Sequence, residues 1–327
     1  MRAASRDASP MMTAGTNDVE RRGAFLSAWS VGDGPVEVSG AGRAAWWSLT
    51  KTMVAAACFR LVDEGRIDLD RRLSGRPYSM RQLLRHVGGV PNYTSLPEYA
   101  ADVRAGGAPW PDEAMLTKVG AAKLQFPPGS KWAYSNTGYA IARRELERVC
   151  DRSFAELTAD LVIGPLGLTT VEIAETPADL DDCRWLAGTG YHPGWVYHGL
   201  ATGEAADAVR FLSGLFASDY LSHAARAELV RPTDLGGPVD GRPWRTAAYG
   251  AGVMVGAMAD VGGALGHSGC GDVSVSAAYR LAEMTPPATI CVFAGGNDES
   301  PAEWEARRIA LSLAAPRNGD SGAPVLR

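Results

Sequence analysis

The sequence predicts an α+β fold: an antiparallel β-sheet flanked by helices, with a mainly helical lobe inserted into it. Three observations carry this. Strand-like runs lie toward both ends of the chain, helical periodicity dominates its middle, and 327 residues exceed one typical domain. Two distant groups of strands close most simply into one sheet, with the helices between them as the insertion. The expected lobes are residues 23–64 and 196–315 for the sheet and 65–195 for the helices. The polar, small-residue stretches 1–22 and 316–327 are expected to be disordered tails.

The elements follow in order. Gly23 to Ser30 reads as a strand, VGDGP as a turn and VEVSG as a second strand. AAWW, Ala44 to Trp47, closes a third strand-like piece. Met53, Val54, Ala57, Cys58, Leu61 and Val62 then recur at helical spacing until Gly65 stops the run. RIDLDRRL is a surface turn, and Ser79 to Tyr93 a short helix ended by Gly-Gly and Pro. Residues 94–130 are rich in Pro, Gly and Ala, with one helix near Asp112–Leu124. FPPGSKWAYSNTG is a loop with an extended piece. YAIARRELERVCDRS and SFAELTADLVIGPLG are helices.

Leu168 to Leu200 is irregular, and Thr202 to Phe216 is helical. Tyr249 to Met258, VSVSAAYRLAE and PATICVFAGG are strands. SPAEWEARRIALSLA closes the chain as a helix. Ser300 caps it, Pro301 takes its first position and Glu303 completes a capping box.

Composition excludes several functions. A net charge of -5 offers no electrostatic surface for nucleic acid or an anionic membrane. No stretch is long and apolar enough to be a membrane span. The N-terminus lacks the apolar core of a signal peptide, which predicts a cytoplasmic protein. Cys58, Cys150, Cys183, Cys270 and Cys291 are odd in number, scattered and without a CxxC pair. They are expected to be free thiols, with neither a disulfide framework nor a metal site. His192 and His198 lack a third ligand at a recognisable spacing, so no metal and no cofactor are expected. GAGVMVG is not a nucleotide loop, because no helix follows it. Trp185, Trp195, Tyr191 and Tyr197 either line a cleft or pack the core, with packing favoured.

Three short clusters carry chemistry. In Ser48-Leu-Thr-Lys51, a serine that opens a helix faces the residue three positions on, one turn up. A lysine there can take the serine proton if burial lowers its pKa. The plain alternative is a serine cap with Lys51 on a solvated face. In Tyr134-Ser135-Asn136, residues two apart in an extended segment point the same way. A phenol beside a lysine ammonium would have a lowered pKa and share its proton. The alternative is a core aromatic beside a helix-capping Asn. In Gly266-His267-Ser268-Gly269-Cys270-Gly271, small residues would let a substrate backbone approach a strand, or simply make a turn.

The order S-x-x-K, Y-S-N, H-S-G resembles the class C β-lactamase and penicillin-binding-protein-like serine hydrolases. The flanks resemble them too. SLTKTMVAAACFRLVDEGRIDLD is similar to that family's nucleophile helix. SMRQLLRHVGGVPNY, FPPGSKWAYSNTGYAIA and IGPLGLTT are similar to its LLxHtSGlpdy, PGxxfxYSNxgyxlLg and PLGMxxT segments. YGAGVMV, GHSGCG and the closing helix complete the run, so the resemblance spans residues 24 to 313.

The resemblance implies the serine β-lactamase/transpeptidase-like fold and a set of roles. Ser48 would be the acyl-forming nucleophile, Lys51 its base and Tyr134 the partner acid/base. Asn136 would bond the substrate's acyl side chain and Lys51. The backbone N–H groups of Ser48 and Cys270 would form an oxyanion hole, and His267, Ser268 and Gly269 the substrate-facing strand.

The expected function is a serine hydrolase that cleaves a small-molecule ester, amide or peptide through an acyl-serine intermediate. The alternatives are an acyltransferase using the same acyl-enzyme, and a binding protein without turnover. Absence of an intact G-x-S-x-G elbow argues against an α/β-hydrolase. Three departures stand out. His267 occupies the place where β-lactamases of that class carry Lys, as in related esterases, amidases and D-amino-acid peptidases. HVGG at His86 to Gly89 replaces a polar pair, and AAWW before Ser48 is bulky. The sequence leaves the substrate and oligomeric state open.

Overall fold

The structure is a computed structural model, and it describes residues 25–314. The two tails expected to be disordered lie outside the described residues. The described residues form eleven strands: β1 (Phe25–Val31), β2 (Glu37–Ser39), β3 (Arg43–Ala45), β4 (Glu172–Ala174), β5 (Leu200–Glu204), β6 (Thr233–Gly236), β7 (Trp244–Tyr249), β8 (Met254–Met258), β9 (Gly262–Cys270), β10 (Ser274–Leu281) and β11 (Ala288–Gly295). Eight of them make one antiparallel sheet in the order β2-β1-β11-β10-β9-β8-β7-β6. The pairing of Phe25 with Ala294 through Val31 with Ala288 joins the two ends of the described chain. The α+β architecture with an antiparallel sheet is the one the sequence predicts.

Helices cover both faces of this sheet. The main ones are α1 (Leu49–Asp63), α2 (Met80–Leu84), α3 (Pro97–Arg104), α4 (Asp112–Lys118), α5 (Asn136–Cys150), α6 (Phe154–Thr158), α7 (Ala205–Ala217), α8 (His223–Leu229) and α9 (Ser300–Ala314). Strand alternation divides the central strands between two cores. Ala278, Cys291 and Phe293 pack with α1 and α7. Val275, Ala277, Tyr279, Ile290 and Val292 pack under α9, against Ala302, Ala306 and Ile309. Double coverage explains why β11 reads as a nearly continuous apolar run and why β10 is buried along nearly its whole length.

A second sheet of three strands, in the order β3-β5-β4, stands beside the first. Sequence periodicity missed most of it. The segment Leu168 to Leu200 was expected to be irregular, yet it contains β4. The stretch from Thr202 was expected to be helical, but Leu200–Glu204 is a strand and the helix starts at Ala205. Residues Leu200 to Thr202 are buried because they pair with β3 and β4, a tertiary contact that overrides local preference.

The expected strand Tyr249–Met258 is two strands, β7 and β8, with Gly252 at φ 81° in the turn between them. Helix α3 lies where none was expected, and α4 is shorter than its expected span. Among the described residues, no helix is long and apolar enough to cross a membrane.

Helix α1 is the centre of the molecule. Met53 through Cys58 are wholly buried, and Phe59 is 1% exposed. The weak amphipathicity of its sequence follows from that, since a helix surrounded by protein has no polar face to show. Phe59→Ala should therefore destabilise the protein by about 3–5 kcal/mol, read as a lower denaturant midpoint; a loss below about 1 kcal/mol would contradict this packing.

Candidate active site

The segment that leads into α1 is fixed from both sides. The Trp46 N–H donates to the Ala201 carbonyl on β5 at 2.8 Å, and the Trp46 carbonyl accepts from Ser276 Oγ on β10 at 2.8 Å. Trp47 adopts φ 48°, a left-handed conformation that costs energy for a bulky side chain. Its indole N–H donates to Ser274 Oγ at 3.0 Å, and Gly271 leaves the space its ring fills. This turn delivers Ser48 at the mouth of the helix.

Ser48 does not cap α1: its side chain makes no bond to the first-turn N–H groups. Lys51 is not solvated either, being 0% exposed. The plain reading of S-x-x-K therefore fails on both counts. Instead Lys51 Nζ lies 2.8 Å from Ser48 Oγ, as one helical turn dictates. The Tyr134 hydroxyl donates to the same Oγ at 2.9 Å. Ser48 thus sits between an amine and a phenol.

Tyr134 lies on the extended segment before α5. Ala133 N–H donates to the His86 carbonyl at 3.0 Å, and Ser135 N–H to His86 Nδ1 at 3.1 Å. The His86 ring packs 4.3 Å from the Tyr134 ring, centre to centre. His86, at φ 58°, is thus the brace of this segment, a role its motif position did not disclose.

Ser135, not Asn136, caps α5, accepting from Gly138 N–H at 2.9 Å. Asn136 lines the cleft, and its side-chain amide donates to Thr94 Oγ1 at 3.4 Å. The expected bond from Asn136 to Lys51 is replaced by another: Lys51 Nζ is 3.2 Å from His198 Nε2. The sequence singles out His198 only as a candidate metal ligand. Among the described residues no group of three or more His, Cys, Asp or Glu side chains could hold a metal.

Strand β9 runs beside the helix mouth, and its alternation separates the expected strand residues. Gly269 faces the nucleophile so closely that a Cβ there would lie 2.5 Å from the Ser48 nitrogen. His267 points to the same side but is buried. Tyr249 O–H lies 2.9 Å from its Nε2, and its Nδ1 meets the Ser268 carbonyl. The Ser268 side chain faces the opposite side, where it accepts from Arg242 at 2.9 Å. The expectation that these side chains face substrate is therefore corrected. The part of the strand that reaches the cleft is Cys270, followed by Gly271 and Asp272.

Register also orients the Cys270 N–H. Gly271 N–H donates to the Ser274 carbonyl, while Cys270 stands opposite Val275. Bonded and non-bonded pairs alternate in such a ladder, so the Cys270 N–H faces away from β10. On that side β8 ends at Met254, opposite Gly266, four residues short. The Cys270 N–H therefore opens toward the helix mouth.

The electrostatics have one dominant cause, burial. It pushes Lys51 well below the usual lysine range. His86 and His198 are pushed down by burial and then by the Lys51 charge. His267 falls to about 3 for the same reasons. The Tyr134 phenol is raised by burial, against the lowering expected from a nearby ammonium, and the Ser48 hydrogen bond offsets this only in part. Burial also raises the Cys270 thiol to about 12.

The cleft in front of Ser48 has a volume of about 610 Å³. Trp47, Tyr93, Tyr99 and Tyr191 give it aromatic walls, with Asp272 and Asn297 among its polar groups. Of the aromatic residues left open by the sequence, Tyr191 lines this cleft, while Trp195 and Tyr197 pack the core.

Known proteins share this arrangement of elements. A D-amino acid amidase from Ochrobactrum anthropi SV3 superposes with a TM-score of 0.72 at 20% identity, covering 90% of this chain and 97% of that one. A penicillin-binding protein of Bacillus subtilis is 24% identical over 68% of this chain and 54% of its own length. The D-alanyl-D-alanine-carboxypeptidase/endopeptidase AmpH of Escherichia coli is 24% identical over 56% of this chain and 51% of its own. The chain thus spans about half the length of these curated relatives. The Beta-lactamase family model matches residues 18–314, nearly the whole chain, and this protein belongs to that family.

Proposed function

We propose that the protein is a serine hydrolase that cleaves a small-molecule amide, peptide or ester through an acyl-serine intermediate. The observation that carries this is Ser48 Oγ held 2.8 Å from Lys51 Nζ and 2.9 Å from the Tyr134 hydroxyl. The amidase and peptidase names of the relatives favour the amide and peptide side of that range.

The chemistry balances with these groups alone. Lys51, neutral through burial, takes the Ser48 proton as Oγ attacks the carbonyl carbon. The N–H groups of Ser48 and Cys270 receive the developing oxyanion. Tyr134, which starts protonated, gives its proton to the leaving group as the tetrahedral intermediate collapses. The resulting phenolate takes a proton from water, whose oxygen attacks the acyl carbon. Ser48 Oγ then leaves and recovers its proton from Lys51, which restores the starting state.

The same geometry argues against penicillins as good substrates. His267 is neutral, buried and engaged at both ring nitrogens, so it presents no cation to a substrate carboxylate. His267→Lys does not mend this. It buries an amine without a counter-charge beside Lys51, and stability should drop by roughly 3 kcal/mol or more without any gain in benzylpenicillin acylation. A stable variant with faster acylation would show that residue 267 does face substrate.

Intact-protein mass spectrometry after brief exposure to p-nitrophenyl butyrate tests the function. The wild type should gain an acyl mass while nitrophenol is released, and Ser48→Ala should gain none while keeping its fold. An adduct on Ser48→Ala would remove Ser48 from the role. Tyr134→Phe should lower turnover of the same ester by about 10²–10⁴-fold, and a rate near wild type would exclude Tyr134 as the proton donor.

A further inference from the structure

We propose that His198 is a positioning residue for Lys51: its Nε2 accepts an N–H of the lysine, which aims the nitrogen lone pair at Ser48 Oγ. The inference rests on reading Ser48 and Lys51 as nucleophile and base. A neutral amine has one lone pair and two N–H groups. For the lone pair to face the serine, the N–H groups must point elsewhere, and a buried donor needs an acceptor.

Around Lys51 the choice is narrow. The Tyr134 and Tyr139 rings present their faces at 5.0 and 5.8 Å, and the Asn136 amide is turned to Thr94. His198 Nε2, at 3.2 Å, is the acceptor that the geometry offers.

The fold holds this contact at fixed length. His198 lies just before β5, and Ser48 just after β3; these are paired strands of the small sheet. The Trp46 N–H and Ala201 carbonyl lock the two segments together beyond the last strand pair. Gly199, at φ 90°, makes the turn between His198 and β5, and a Cβ there would strike the Phe154 ring at 2.6 Å. His198 itself is 3% exposed and lines the cleft.

The charged and titratable groups that face His198 are Lys51 from α1, His267 from β9 and Arg143 from α5, and each disfavours an imidazolium. Burial acts in the same sense and outweighs a backbone hydrogen bond at Trp47 that favours the charged form, so the ring stays neutral and Nε2 stays free to accept. When Lys51 takes the serine proton, the same nitrogen steadies the ammonium.

The test compares kcat/KM for p-nitrophenyl butyrate against pH in the wild type, His198→Leu and His198→Gln. Activity rises as Lys51 loses its proton. Loss of the acceptor destabilises the ammonium, so the acidic limb in His198→Leu should move to lower pH. The plateau should fall by about 10- to 100-fold as the amine loses its aim. His198→Gln restores an acceptor and should recover part of the rate and return the limb.

An unchanged rate and limb in His198→Leu overturns the proposal. So does a lower rate with an unmoved limb and no rescue by Gln, which is the mark of a merely structural side chain. Imidazole ¹⁵N NMR on the wild type decides the matter if the Leu variant does not fold. At neutral pH Nε2 should be unprotonated and Nδ1 protonated, and an Nε2–H form or an imidazolium there overturns it. Turnover that survives in Ser48→Ala would instead sink the nucleophile assignment; a dead Ser48→Ala beside an unaltered His198→Leu sinks only the positioning.

Discussion

The removal of one amine from water is the constraint on which the site depends. Lys51 is wholly enclosed, and among the described residues no carboxylate pairs with it. In water such a group is an ammonium and cannot accept a proton. Enclosure without a counter-charge reverses the preference and makes it a base. A carboxylate nearby would stabilise the cation and undo this. The surroundings are accordingly neutral: a serine, two phenol rings and an imidazole.

The same rule extends to the next layer. His86 and Tyr249 pack against the Tyr134 ring, and His86 is centred 5.0 Å from Tyr139 and 4.6 Å from Tyr249. Tyr139 donates to the Leu84 carbonyl, and Tyr249 lies within hydrogen-bonding distance of His267. These groups are polar, buried and uncharged, and their hydrogen bonds run to the Ser135 N–H, the Leu84 carbonyl and His267. Such a network resists rearrangement because moving one ring leaves a partner unsatisfied. The charged cluster of the region lies on the far side of the sheet, where Arg242 meets Glu303 and supports Ser268 from behind. The sheet thus separates an ionic face from a neutral catalytic one.

What was legible in the sequence was contiguous. Ser48 and Lys51 lie within one helical turn, so local geometry foretells that their side chains meet. The central sheet was legible from its strands at both ends. His198 left no such signal: its partner is 147 residues away, and the contact exists only because β3 and β5 pair. His86 was hidden in the same way, since its ring acts on a segment 49 residues downstream. Strand β5 was misread because five residues are too few to show a period. The outward turn of Ser268 follows from simple alternation once its strand is known.

The turn that carries Trp47 has a consequence for how this site can change. A Cβ at Gly271 would lie 2.1 Å from the Trp47 ring, so the two positions share one volume. The backbone at position 47 is also one that glycine or asparagine adopts with least strain. Substitutions here are therefore ordered in time. A lineage must first shrink residue 47, which widens the cleft, and only then does position 271 tolerate a side chain. The reverse order passes through a clash beside the nucleophile. This pair is a point of strong epistasis, where history rather than present fitness alone limits which cleft shapes the chain can reach.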